Sequence, residues 1–158
     1  MTPELLNLIT LFLLGIAYLV VVSKLNILLT QKFLQVKNTA SYVLYASVLI
    51  ASAIYLVMTA DIVADSNRFF MRDGQYKTAL LYSVGFFALS LISTIILTLS
   101  SFMVSSMLTK ASEKEALENN DVELAIMHSI ILISLAFITF KGVANIMTSF
   151  IPFPDIPF

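Results

Sequence analysis

Few side chains in this 158-residue sequence could take part in chemistry, and their spacing decides what kind. Ser83, Ser90, Thr94, Ser101 and Ser105 recur at intervals of seven, four, seven and four, inside a stretch from Thr78 to Thr109 that holds no charged residue. On a helix this spacing puts all five hydroxyls on one face. Small polar side chains let helices approach closely in an apolar surrounding, and their hydroxyls can bond across the contact. The plainer reading is a packing seam; the sharper one is a hydroxyl-lined path through an oligomer. Ala46, Ala53 and Ala60, with Ser47 beside them, and Ala125, Ser129 and Ala136 form similar small-residue faces farther along the chain.

The ionisable groups are sparse and mostly lack the neighbours that catalysis needs. Lys141 sits about 18 residues into the last apolar stretch, roughly 27 Å along a helix. Asp61 lies at a comparable depth along the second stretch, with Asp65 one turn beyond it. A charge in hydrocarbon costs several kcal/mol unless it pairs or reaches the headgroups. Either an ion pair of Lys141 with Asp61 or Asp65, or simple snorkelling of Lys141, answers that cost. His128 has no second histidine and no cysteine to make a metal site or proton relay, so a helix-packed histidine is expected. Lys110, Glu113, Lys114, Glu115 and Glu118 are interleaved, which suits a solvated helical surface or a docking face for a soluble partner. No glycine-rich phosphate loop, nucleophile–histidine–acid order or metal-ligand spacing is present, so neither an enzyme nor a cofactor is expected.

These residues are carried by elements that lipid, not water, must surround. Only 12% of the chain is charged and 59% is hydrophobic, about half the charge that coats an average soluble domain. A spanning helix needs about 20 mostly apolar residues, and four stretches qualify, with helices expected near 5–35, 39–62, 77–117 and 121–150. The fold class that follows is all-α, a four-helix transmembrane bundle forming one domain over residues 1–158. Residues 61–77 read as a mixed-charge loop with a turn at Asp73-Gly74. Asn38 and Asn120 stand where helices two and four need caps. Prolines keep the tail from Phe150 to Phe158 out of helix, and its apolar side chains suit packing on the bundle or docking to a partner. A net charge of −1 gives no footprint for nucleic acid. Lys24, Lys32, Lys37, Lys110 and Lys114 outnumber Arg68, Arg72 and Lys77, with Lys141 nearby, by five to three or four, which puts both termini outside the cytoplasm by the positive-inside rule.

A shift of 82 residues lays Asn38 on Asn120, Leu44 on Ile126, Ser47 on Ser129 and Ala60 on Gly142. The two halves are then helical hairpins pointing the same way, a parallel repeat. Asn38-Thr39-Ala40 followed by Ala46-Ser47 resembles the repeated motif of the YjfL-like family of bacterial inner-membrane proteins, domain-of-unknown-function family 350. The second half keeps Asn120 and Ser129 but has Val122 where alanine is usual and His128 where a small residue is usual; both small pairs lack glycine. The resemblance implies a four-helix inner-membrane protein with no settled molecular function, similar to partners of envelope-stress and phage-shock-like systems. The expected function is a non-enzymatic membrane subunit. It would act by self-assembly, as a homo-oligomer, or as the anchor of a soluble cytoplasmic partner. A channel or transporter subunit, or a minor subunit of a larger membrane complex, are the alternatives.

Overall fold

The computed structural model describes residues 3–34, 38–72, 74–109 and 118–151. Among them are four α-helices: α1 (Pro3–Leu34), α2 (Thr39–Arg72), α3 (Tyr76–Thr109) and α4 (Val122–Ser149). All four are long and apolar enough to cross a bilayer, and the chain is a multi-pass membrane protein. At 28 to 34 residues the helices are about 42–51 Å long. That exceeds the ~30 Å hydrocarbon core, so their ends stand in the headgroup layers or beyond.

The helices run up, down, up, down. Ala40 and Ala125 pack together at the starts of α2 and α4, so those two are parallel. Leu6 packs near Ala79 at the starts of α1 and α3, which makes that pair parallel as well. Equivalent helices of the two hairpins therefore run side by side in the same direction, the arrangement expected of a parallel repeat. Helix α2 is the hub: it packs on each of the other three, most extensively on α4, while α1 lies on α2 and α3 at the edge. Tyr18 and Val22 of α1 are buried, and Leu8, Phe12, Leu13 and Val20 point outward.

Helix α2 continues ten residues past the expected end at 62, through most of the segment read as a loop. Asp61, Asp65, Arg68 and Arg72 recur at intervals of four, three and four on an exposed face, while Ile62, Val63, Ser66, Asn67, Phe70 and Met71 are buried on the other. The mixed charge thus marks an amphipathic helix, not a break. The break comes at Gly74, whose φ of 73° is open to glycine and costly to other residues. Gly74 N–H donates to the Met71 carbonyl at 3.2 Å and Gln75 N–H to that of Phe70 at 2.9 Å, the paired bonds of a Schellman closure. The expected continuation of helix three through 110–117 and the tail beyond Ile151 lie outside the described residues.

Candidate functional site

The polar groups of the bundle form a seam along α3. Ser83, Ser90, Thr94, Thr98, Ser101 and Ser105 are all buried, and the sequence had marked every one of them except Thr98. In lipid a hydroxyl on a helix needs a partner, and most here donate back to a carbonyl of their own helix: Thr94 to Ser90 at 3.0 Å, Thr98 to Thr94 at 2.8 Å and Ser101 to Thr98 at 2.8 Å.

Two hydrogen-bonded clusters tie that seam to other helices. Near one end of the bundle Asn67 of α2 is fully buried. Its Nδ2 donates to Asn7 Oδ1 of α1 at 2.8 Å, and its Oδ1 accepts from Ser83 Oγ of α3 at 3.0 Å. Three helices meet through one amide. Farther along, the Tyr18 hydroxyl of α1 lies 2.7 Å from Thr94 Oγ1 and accepts from Ser90 Oγ at 3.4 Å. Because the Thr94 proton is already given to its own helix, Tyr18 is the donor to Thr94. The ring also packs edge-on against Phe87 at 6.3 Å.

The same device joins the other parallel pair. The Tyr55 hydroxyl of α2 lies 2.6 Å from Thr139 Oγ1 of α4, and Thr139 donates to the Leu135 carbonyl at 2.7 Å. A tyrosine from the first hairpin thus donates to a back-bonded threonine on the equivalent helix of the second, in both pairs. Tyr18, Tyr55, Asn7, Asn67 and Thr139 were not marked from the sequence. Their only signal there is a polar side chain inside an apolar run, and their partners lie 16 to 84 residues away.

The small faces are placed unevenly. Ser129 and Ala136 of α4 are buried, as is Ala125. On α2 the expected face is corrected: Ala46 and Ala53 are exposed, and the buried small residues include Ser47, Ala51, Ser52, Thr59 and Ser66. The buried Ser52, Thr59 and Ser66 repeat every seven residues one position before the register of Ala46, Ala53 and Ala60, so spacing alone does not say which stripe faces inward.

Asn38 caps its own helix, its Oδ1 accepting from Ser41 N–H at 2.9 Å. The Ser41 hydroxyl in turn accepts from Asn38 N–H at 3.1 Å. Asn120 does not cap helix four. Asp121 takes that place, accepting from Leu124 N–H at 3.0 Å. Asn120, at a φ of 53°, reaches across and accepts from Ala40 N–H of α2 at 3.1 Å. The second hairpin thereby caps a helix of the first.

The intramembrane charges do not converge. Asp65 pairs with Arg68 at 3.5 Å on an exposed face, and Lys141 forms no ion pair among the described residues. Asp61 stands six residues past Tyr55 and Lys141 two past Thr139, so the parallel helices hold them about 6 Å apart along the axis. Both side chains are exposed; Lys141 is left to snorkel. His128 is buried and stacks on Phe102 of α3, ring centres 4.8 Å apart. Among the described residues no three acidic or histidine side chains gather as metal ligands would. Of the polar hairpin 110–118, Glu118 is described and exposed; Lys110, Glu113, Lys114 and Glu115 fall outside the described residues.

Compared with known proteins, the chain matches one family model, described as Domain of Unknown Function (DUF350), over residues 1–143. No curated protein and no solved structure matches it.

Proposed function

The chain belongs to the DUF350 family, and on that premise we propose that it is a non-enzymatic subunit of the bacterial inner membrane. It works by self-assembly or as the anchor of a soluble partner. The observation that carries this reading is the closure of the polar seam within one chain. Ser83, Ser90 and Thr94 spend their hydroxyls on Asn67, on Tyr18 and on their own helix, and a hydroxyl so engaged is not free to replace the hydration shell of a passing ion. What remains for an outside partner is the apolar perimeter and the hairpin 110–118. With the lysine-rich hairpins in the cytoplasm and both termini in the periplasm, that hairpin is where a soluble protein, including one of an envelope-stress system, would dock.

Two measurements test the reading. Mild detergent extraction followed by mass determination should give a homo-oligomer or a complex with a soluble protein, and reversing Glu113, Glu115 and Glu118 to lysine should release the soluble protein. A monomer with nothing attached would sink the proposal. Purified protein in planar bilayers should pass no ions; a conductance altered by Thr94→Leu or Ser101→Leu would instead establish a channel.

A further inference from the structure

A groove of about 770 Å³ opens between the first turns of α1 and the charged extension of α2. That volume is in the range of sites that hold a small molecule. Its apolar floor is Leu11, Ala64 and Met71, with exposed Leu8 beside them; the exposed Glu4, Arg68 and Arg72 stand at its rim. The Asn67–Asn7 bond fixes the depth, because it aligns Glu4 with the last turns of α2, at the end of the bundle. The apolar floor therefore runs toward the hydrocarbon while the three charges lie at headgroup level.

The charges have a pattern. Two guanidiniums attract a phosphate and can bind it through paired N–H groups. Asp65 already neutralises Arg68 in part, and Glu4 adds a second carboxylate beside the same groove. With two cations and two anions the site is balanced, so it suits a headgroup carrying both signs better than a purely anionic one. A carboxylate also prefers a primary ammonium, which donates hydrogen bonds, over a quaternary one, which cannot. We propose that this groove binds a glycerophospholipid with a phosphoethanolamine headgroup: phosphate on Arg68 and Arg72, ammonium on Glu4, and an acyl chain along Leu8 and Leu11. The site is independent of the scaffold reading, since it needs nothing beyond this chain and a bilayer.

The test is native mass spectrometry of the full chain released from nanodiscs containing equal parts phosphatidylethanolamine, phosphatidylglycerol and phosphatidylcholine. Retained phosphatidylethanolamine should exceed each of the others by about five-fold or more, roughly 1 kcal/mol of preference. Arg68→Gln with Arg72→Gln should abolish retention, and Glu4→Gln should turn the preference toward phosphatidylglycerol. Lys24→Gln, a cation on the same helix remote from the groove, should change nothing. All these side chains are exposed, and an unchanged helical circular dichroism spectrum verifies that each variant is folded. Equal retention of the three lipids, a wild-type preference for phosphatidylglycerol, or retention indifferent to the arginine pair would each overturn the proposal.

Discussion

The residue on which most depends is Asn67. Its amide serves α1 and α3 at once, and removing it leaves Asn7 without its partner and Ser83 with only its bond to the Ala79 carbonyl. An unsatisfied buried polar group costs about 1–3 kcal/mol, so Asn67→Ala should destabilise the bundle by about that much. Tyr18→Phe removes one hydroxyl from Thr94, which keeps its bond to the Ser90 carbonyl, and takes from Ser90 Oγ only a long contact of 3.4 Å. Interhelical hydrogen bonds in membranes average about 0.6 kcal/mol, and the loss should be near that figure. Equilibrium unfolding in mixed micelles ranks the two variants; a larger loss for Tyr18→Phe would contradict the assignment. Neither role was legible in the sequence. An asparagine in an apolar run announces that a partner exists, but which helix supplies it is decided by packing across 60 residues.

At the scale of elements, turns and caps set the hairpins. Gly74→Ala should cost about 1–2 kcal/mol from its left-handed backbone alone, because a Cβ there meets nothing within 4 Å. Gly85 and Gly142 have equally open surroundings but helical backbones, so alanine there should be neutral or stabilising by up to about 1 kcal/mol. Thermal unfolding of the three variants separates backbone strain from crowding. Asn120→Ala loses the bond to Ala40 and keeps the unfavourable φ, whereas Asn120→Gly loses only the bond; hydrogen exchange at Ala40 should quicken in both, and stability should fall further in the alanine variant. The spans were legible because each is an apolar run of 20 residues or more, broken at most by one or two ionisable side chains, as by His128 and Lys141 in the fourth. The seam was legible because no rival stripe competes on α3. On α2 two small-residue stripes do compete, and the amphipathic extension hid behind charges that a four-three-four spacing could have exposed.

For the whole molecule, the hydrogen bonds between helices set where the charges stand relative to one another. From the Asn7–Asn67 tie, Lys24 lies 17 residues down α1 and Asp61 six residues down α2, about 26 Å and 9 Å respectively. Both are exposed, and their levels differ by only about 17 Å, roughly half a hydrocarbon core. With the groove's charges at headgroup level, Asp61 lies about 10 Å inside it. Thinner bilayers, which bring headgroups toward both Asp61 and Lys24, should therefore stabilise the protein, and Lys24→Leu should shift the optimum to longer acyl chains. Unfolding measured across a series of lipid chain lengths checks this; an optimum unmoved by Lys24→Leu would refute it. Lys141→Met should be tolerated, since among the described residues no carboxylate pairs with that lysine.

The Asn120 clasp also sets an order of events during synthesis. The acceptor for Ala40 N–H is made 80 residues after the donor, so the first hairpin must enter the bilayer with that helix end still raw. Only when the ribosome has delivered Asn120 can the nascent chain seal that helix end completely, and a protein stalled before that point has the Asn38 cap in place but one N–H still waiting.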